Sequence, residues 1–423
     1  MTQIYYTLKK KICSKLLYNS TNFLMTTIKR TRITNKDTIL GVLHKHLSQP
    51  HEGDFYSSLE NIDVAAIPLT KSECDHVVKL LWNNYVDTIK KEREKEKLLI
   101  TNQDASMRIW YKTFGAKPFG EKSLFISLHG GGNAEPEFND SQWENQKFLY
   151  TPEEGVYVVP RAPGNTWDLW HRPEIDHMFD RIIENMMIFE GVNPNKVYLT
   201  GYSAGGDGVY KVVPRTADRW AAANMNAGHP NDASPLGLRN TPFTIHVGAE
   251  DFAYDRNKVG QEWSDKLAEL HKEDPNGYIY WAEIYEKMGH WMEGKEKDAL
   301  SWMAHHTRNP IPDRVVWWQD TVTHDRFYWL ALPENQVRQY TKVIVTRDGQ
   351  NFDIQTKDYK NVIILLNDNM VDMDVPIRIT MEEKVLFEGV VPRTIGAIAR
   401  SLKQHGDPYL IFTGEVTICT EIA

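Results

Sequence analysis

The fold is decided by Val197-Tyr198-Leu199-Thr200-Gly201-Tyr202-Ser203-Ala204-Gly205-Gly206. The first four residues are β-branched, aromatic or apolar, which favours a strand, and Gly206–Val213 continues with helical spacing. The Gly-x-Ser-x-Gly pattern between them predicts a tight strand-to-helix turn, a nucleophile elbow that exposes Ser203 at the helix amino end. Backbone N–H groups there favour an oxyanion. The stretch therefore predicts a nucleophilic serine on an α/β sheet.

A glycine run follows an earlier strand. Leu124–Leu128 is apolar, and His129-Gly130-Gly131-Gly132 comes directly after it. Upstream of an elbow serine, such a loop lets backbone N–H groups face the oxygen of a substrate carbonyl. We expect Gly130 and Gly131 to form an oxyanion hole together with the N–H of Ala204.

The order of residues after Ser203 predicts a catalytic triad. An acid and a histidine are expected downstream, each after a strand. Asp251 follows the predicted strand Phe243–Val247, and His290 follows Tyr278–Ile284. In this interpretation Asp251 orients His290, which takes the proton from Ser203. The acids Glu250 and Asp255 lie in the same loop and stay open as alternatives to Asp251.

From residue 106 to residue 310, short apolar runs alternate with amphipathic stretches, which predicts a mostly parallel sheet flanked by helices. The further strands expected are Val156–Val159 and Ala221–Met225. The helices expected are Ile175–Phe189, Gly206–Val213, Val259–His271 and Asp298–His305. The fold class is therefore α/β, with residues 106–310 as its hydrolase-like core.

The flanking regions have different patterns. Residues 37–105 predict a helical attachment, in which Thr70 and Glu73 form a capping box. Residues 311–423 predict a small β-rich domain, with a hairpin between Val375 and Phe387. Within that domain we expect a helix at Ile395–Leu402 and strands at Tyr409–Phe412 and Val416–Ile418.

Several side chains are candidates for contact with a substrate. They lie in the glycine loop, in the loop after Val156–Val159, in the elbow or beside His290: His129, Trp167, Trp170, Tyr202 and Trp291. Aromatic walls suit acyl chains and rings, although tryptophan is equally a large core residue. For Asp207 we expect a local cap or a pair, for example with Arg215. For His229 a structural hydrogen bond is expected.

Charge and composition exclude several classes of protein. The net charge is −8, and residues 1–36 contain eight Lys/Arg and no acid, so the remaining 41 basic and 57 acidic residues carry −16. Such a body repels nucleic acid. Apolar runs such as Val362–Leu366 are far too short for a membrane helix. Three scattered cysteines do not form a disulfide scaffold or a zinc site. We expect no metal and no cofactor.

The basic leader, residues 1–36, has two interpretations. It is either a disordered extension or a transit peptide, because transit peptides are poor in acids. We expect a cytoplasmic protein, with an organelle as the alternative if the leader is an address.

The chain resembles α/β-hydrolase esterases at Leu128–Gly132, Gly201–Gly208 and Gly289–Trp291. It is most similar to polyhydroxybutyrate depolymerases and feruloyl esterases, and to long bacterial-type hydrolases with a β-rich tail. The resemblance implies a metal-independent serine hydrolase that uses Ser203, Asp251 and His290. It departs from the depolymerase pattern His-Gly-x-x-Asp, since Val247 stands where that pattern has histidine.

Three functions are therefore weighed. The first is hydrolysis of a small or oligomeric carboxylic ester through an acyl-enzyme. The second is a serine peptidase similar to prolyl oligopeptidases, which use a comparable elbow. The third is an inactive hydrolase fold that acts as a binding protein, because fold alone does not establish activity.

Overall fold

The core is an eight-stranded sheet. The computed structural model describes residues 36–49, 54–102 and 105–421. The strands are β1 (Leu99–Asn102), β2 (Ala105–Phe114), β3 (Lys122–Leu128), β4 (Gly155–Arg161), β5 (Val192–Tyr202), β6 (Ala222–Asn226), β7 (Phe243–Gly248) and β8 (Tyr280–Tyr285). Their order is β1-β2-β4-β3-β5-β6-β7-β8. β1 and β2 pair antiparallel, and β3 to β8 are mutually parallel.

Helices cover both faces of this sheet. They are α4 (Pro136–Gln146), α5 (Pro173–Asn185), α6 (Ala204–Arg215), α7 (Arg256–Glu273) and α8 (Asp298–Ala304). Apolar residues of α5, α6 and α7 form one core cluster with one set of strand side chains, and α4 and α8 form another with the alternate set. The parallel strands are therefore buried on both sides, as their nearly continuous apolar runs require.

Three helices precede the sheet, α1 (Lys36–Leu47), α2 (Phe55–Leu59) and α3 (Lys71–Glu92). The capping box at the start of α3 is present, since the Thr70 hydroxyl accepts from the Glu73 N–H and the Glu73 carboxylate accepts from the Thr70 N–H. The apolar faces of these helices pack on α9 (Ile395–Gln404), near the other end of the chain. Leu81 and Ile398 are both fully buried in this cluster.

The C-terminal region contains two further sheets. Strands β10 (Arg326–Phe327), β11 (Leu330–Ala331), β14 (Asn361–Leu366) and β17 (Gly414–Cys419) form a four-stranded sheet. Strands β9 (Arg314–Trp318), β12 (Lys342–Asp348), β13 (Asn351–Thr356), β15 (Ile377–Met381) and β16 (Lys384–Gly389) form a five-stranded one. Their inner faces share one apolar cluster.

Ion pairs among buried and half-buried side chains join the core to this region. We call Asp180, Asp218, Arg219, Arg308 and Asp407 the junction network. Arg219 pairs with Asp180 at 2.8 Å and with Asp218 at 2.5 Å. Arg308 donates to the Asp407 carboxylate at 2.6 Å and to the Asp218 carbonyl at 2.7 Å. Each cation is therefore neutralised by carboxylates at hydrogen-bond distance.

The predicted fold class is confirmed: a mostly parallel sheet flanked by helices, with helices before it and antiparallel strands after it. The hairpin β15–β16 is also confirmed. The strand predicted at Tyr409–Phe412 is wrong, because this segment forms a turn whose Leu410 and Phe412 side chains insert into the core. The continuous apolar run there anchors the turn in the core and does not pair with another strand.

The domain boundaries at residues 36, 105 and 310 stay a prediction. Pairing of β1 with β2 places the boundary at 105 inside the sheet, since β1 lies within the predicted helical attachment. The predictions for the leader concern residues 1–36, of which only Lys36, the first residue of α1, lies within the described part of the chain.

Candidate active site

Ser203 lies at the turn between β5 and α6. Its backbone has φ 59° and ψ −121°, a strained conformation that costs about 1–3 kcal/mol and is held by the surrounding structure. The Ser203 N–H donates to the Asn226 carbonyl at 2.9 Å. Glycine is required at position 205, because a Cβ there would lie 2.2 Å from the Leu128 carbonyl oxygen. Helix α6 thus starts directly against β3, with Ser203 at its tip.

The structure brings Ser203, His290 and Asp251 together. The distance from Ser203 Oγ to His290 Nε2 is 3.0 Å, and from His290 Nδ1 to Asp251 Oδ2 it is 2.7 Å. Since Nδ1 faces a carboxylate, its proton is fixed there and Nε2 is free to accept from the serine. Asp251 is buried, whereas the His290 side chain is 43% exposed. This is the geometry of a nucleophile, a base and the acid that orients the base.

The rival acids lie elsewhere. Asp255 is exposed and pairs with Lys258 at 2.8 Å, which holds the pKa of its carboxyl below the ordinary value. Glu250 is exposed as well. Of the three acids in this loop, only Asp251 bonds the His290 ring.

Tyr202 supports the histidine loop. Its hydroxyl donates to the His290 carbonyl at 2.7 Å and accepts from the Met292 N–H at 3.1 Å. The side chain is largely buried and its ring packs edge-on against His290. Tyr202 was predicted to contact substrate. Its hydroxyl instead makes hydrogen bonds to the loop that carries His290, the base.

The glycine loop abuts the serine. A Cβ on Gly130 would lie 3.2 Å from Ser203 Cβ. Gly131 has φ +105°, and a Cβ there would collide with the Asn139 side chain, so only glycine fits. Asn139 holds the loop by accepting from the Gly132 N–H at 2.8 Å. In the described part of the chain, the N–H groups of Gly131 and Ala204 donate to no protein acceptor, which leaves them available for an oxyanion.

Two of the predicted substrate residues do not reach the cleft. His129 and Trp170 are fully buried. His129 Nε2 accepts from the Ala162 N–H at 3.1 Å, and the Trp170 indole donates to the His129 carbonyl at 3.0 Å. Burial lowers the pKa of His129 to about 3, so its ring is neutral. Both residues hold the glycine loop in place by hydrogen bonds from the buried side. The prediction that His129 and Trp170 contact substrate is therefore wrong.

A cleft of about 460 Å³ opens beside the elbow. It is lined by Gly131, Gly132, Asn133, Trp167, Ala204, Asp207, His229, Asn231, Tyr254 and Arg256. Trp167 is 59% exposed, and Trp291, next to His290, is 53% exposed. Most other tryptophans are core residues, including Trp220 and Trp263. Sequence reasoning missed Tyr254 and Arg256, because nothing in the acid loop distinguishes them from ordinary surface residues.

Asp207 lies in the wall of this cleft. Its carboxylate accepts from the His229 N–H at 2.6 Å, and burial raises its pKa to about 6. The predicted pair with Arg215 is wrong, because Arg215 bonds Asp176 at 2.7 Å. The structural bond predicted for His229 is confirmed, since its Nδ1 accepts from the Asn231 N–H at 2.9 Å.

Among residues 36–49, 54–102 and 105–421, no group of three or more His, Cys, Asp or Glu is arranged to hold a metal ion. Within the same ranges, no helix is both long and apolar enough to cross a membrane.

No family model matches the sequence, and no curated protein matches it. Similar solved structures include a thermostable esterase, with TM-score 0.36 and 17% identity over 50% of this chain and 62% of that one. A poly(3-hydroxybutyrate) depolymerase from Bordetella parapertussis has TM-score 0.37 and 13% identity over 50% of this chain and 90% of its own. The acylaminoacyl peptidase of Pyrococcus horikoshii has TM-score 0.34 and 14% identity over 48% of this chain and 39% of its own. The matched part therefore spans less than two thirds of the thermostable esterase and of the peptidase.

Proposed function

We propose that the protein is a serine hydrolase that cleaves a carboxylic ester. The observation that carries the proposal is the continuous pair of contacts from Ser203 Oγ to His290 Nε2 and from His290 Nδ1 to Asp251 Oδ2. A serine hydroxyl is a weak nucleophile at its ordinary pKa, and a positioned base is what activates it. A strained serine beside two free N–H groups further favours chemistry over a structural role.

The reaction runs in two halves. Ser203 Oγ forms a bond to the acyl carbon while His290 Nε2 takes its proton. The carbonyl oxygen becomes an oxyanion, which accepts from the N–H groups of Ala204 and the glycine loop at Gly130 and Gly131. When the tetrahedral intermediate collapses, the C–O bond to the alcohol breaks and His290 returns the proton to the leaving alkoxide. Water then attacks the acyl-serine by the same route, releasing the acid.

Asp251 acts through His290. Its carboxylate keeps the Nδ1 proton in place and stabilises the imidazolium that forms during each half-reaction. Being buried, it keeps this orientation without competition from water. The His290 side chain is 43% exposed, which leaves the base accessible to substrate and water.

The first test is covalent labelling. Incubation with a fluorophosphonate probe is expected to modify Ser203, and Ser203→Ala is expected to abolish labelling and lower ester hydrolysis by at least about 10³-fold. Ser141→Ala serves as the matched control, since Ser141 lies at an exposed position of α4 and its hydroxyl donates to the Phe138 carbonyl of the same helix. Absence of labelling in folded protein, across several probes, would contradict the proposal and favour a binding protein.

The second test separates ester from amide substrates. Short-chain 4-nitrophenyl esters, methyl ferulate and hydroxybutyrate oligomers are compared with peptidyl anilides. We expect turnover of the esters. Cleavage of the anilides with no activity on any ester would contradict the ester assignment and favour the peptidase.

A further inference from the structure

Arg256 is the first residue of α7 and lines the cleft beside the elbow. It follows the loop that carries Asp251, and its side chain is buried. Its guanidinium lies against the ring of Tyr254, 4.8 Å from the ring centre, and Tyr254 lines the same cleft. A buried cation therefore lies 3.9 Å from the carboxylate of Asp251, in a position that the reaction described above does not use.

Most donors of this cation have no hydrogen-bond partner. In the described part of the chain, its one hydrogen bond runs from Nη1 to the Ala253 carbonyl at 3.3 Å, and its buried Nε–H has no partner. The buried Arg215, by contrast, makes two bonds to the Asp176 carboxylate, at 2.7 and 2.9 Å. Since a guanidinium has five donors and burial without partners is costly, Arg256 has donors to spare for an anion.

The nearest carboxylates leave donors of Arg256 unused. Asp251 Oδ1 forms an ion pair with Arg256 Nη1 at 3.9 Å, too long for a hydrogen bond, while the other Asp251 oxygen bonds His290. Asp207 also lines the cleft, and its carboxylate accepts from the His229 backbone N–H. Neither acid provides the two-point contact that a guanidinium makes with a free carboxylate.

A second donor faces the same cleft. His229 Nδ1 accepts from the Asn231 N–H, which puts the ring proton on Nε2. His229 and Asn231 both line the cleft with Arg256. The amino end of α7, where the helix dipole is positive, lies at this wall as well, since Arg256 is its first residue. Donors and positive charge thus converge on one side of the cleft.

We infer that Arg256 and His229 bind a carboxylate carried by the substrate, so that the preferred ester bears an acidic group close to the bond that is cleaved. The inference rests on the proposed esterase function and deepens it by naming a substrate class. The acidic group belongs either to the acyl part, as in the half-ester of a dicarboxylic acid, or to the alcohol part. The chemistry at Arg256 is the same for both.

The test compares matched esters with and without the charge. For the acyl side, 4-nitrophenyl hydrogen glutarate is compared with 4-nitrophenyl pentanoate. For the alcohol side, 3-(butyryloxy)benzoate is compared with 3-(butyryloxy)benzamide. Wild-type kcat/KM is expected to favour the charged member of at least one pair by about tenfold or more, the size expected for a charge-assisted bond.

Variants then test whether Arg256 causes the preference for the charged ester. Arg256→Gln is expected to remove it, and Arg256→Lys to retain part of it. Lys258→Gln is the matched control, because it removes the same charge from an exposed position of α7, where Lys258 pairs with Asp255. The ratio of two substrates within one preparation is independent of the fraction of protein that is folded.

The outcomes separate the two proposals. A wild-type enzyme that hydrolyses the neutral esters but shows no preference in either pair would overturn the carboxylate inference and leave the esterase standing. A preference that persists in Arg256→Gln, or that Lys258→Gln removes equally, would overturn it too. If no ester is hydrolysed and no probe labels Ser203, both proposals fail together.

Discussion

The cleft and the junction network both contain buried charged side chains, but only in the junction network are those charges fully paired. In the junction network, every cation has carboxylates within hydrogen-bond distance, and Arg308 and Asp218 are buried. In the cleft, Arg256 keeps unused donors, Gly131 and Ala204 keep free N–H groups, and Ser203 keeps a strained backbone. The cations of the junction network are therefore fully paired, whereas the cleft keeps donors without partners.

The difference indicates where binding and catalysis are located. A saturated ion network is closed to ligands and holds parts of the fold together, although its net stability is modest because both charges lose their hydration. Groups left without partners cost stability and persist where a ligand completes them. The predictions below test this contrast, from the largest expected effect to the smallest.

The largest effect is expected for Asp251→Asn. The amide reverses the hydrogen bond to Nδ1 and favours the wrong histidine tautomer, so kcat should fall by about 10³–10⁴-fold with little change in Tm. Steady-state kinetics with a neutral ester and a thermal melt measure the two. The matched control, Asp255→Asn, changes an exposed acid of the same loop and should leave kcat within about twofold. Equal losses in both variants would remove the distinction between the two acids.

A substitution in the junction network is expected to lower the stability of the protein and not its activity. Arg308→Met leaves the Asp407 carboxylate without this cation and the buried Asp218 carbonyl without its donor, which should lower the free energy of unfolding by about 3–5 kcal/mol. Urea unfolding measures the loss, and probe labelling of the remaining folded protein should be unchanged. Arg400→Met is the control, because its pairs with Glu60 and Glu415 are partly exposed and contribute about 0–1 kcal/mol. A slower labelling rate in Arg308→Met would show that the junction acts on the cleft.

Part of the fold and part of the candidate site could be predicted from the sequence. The nucleophile elbow and the order Ser203, Asp251, His290 are local patterns after apolar strands, so both the core fold and the candidate triad could be predicted. Strand ends differ from expectation by a few residues, as in β5, which begins at Val192 and not at Val197. The ends of a strand depend on where its pairing partner begins and ends. The periodicity of the sequence carries no information about that partner.

The remainder depends on contacts between distant residues. The junction network joins Asp218 to Arg308 and Asp407, and no local pattern connects these positions. His129 was predicted to contact substrate because of its place after a strand, yet its direction is set by Ala162 on a neighbouring loop. Arg256 could have been suspected only as a cation that follows the acid of the triad.

A smaller effect is expected for Tyr202→Phe. Loss of the hydroxyl frees the His290 carbonyl and leaves the Met292 N–H without its partner, so the base is held less firmly. We expect kcat to fall by about three- to tenfold with KM nearly unchanged. Tyr198→Phe is the control, since its hydroxyl also donates to a backbone carbonyl, that of His306, away from the triad. A fall of the same size in both variants would contradict the positioning role.

The smallest effect concerns pH. Burial raises the pKa of Asp207 from 3.8 to about 6, so between these values the native state holds a proton that the unfolded chain has lost. Stability from this group is therefore present at low pH and declines as the pH rises through that window. Asp207→Asn does not titrate, so the Tm of the variant minus that of the wild type should increase from about pH 4 to about pH 7, by about 1 °C or more. Thermal melts across this range measure the difference, and a constant difference would contradict the shifted pKa.

The packing of α1, α2 and α3 against α9 has a consequence for biosynthesis. Helix α3 ends at Glu92, while α9 begins at Ile395, so the surface that covers the first helices is translated about 300 residues later. At about 5–20 residues per second, the apolar face of α3 waits about 15–60 s on the ribosome. During that interval the surface of α9 that covers it does not yet exist, so the amino-terminal helices reach their native contacts with α9 among the last parts of the molecule.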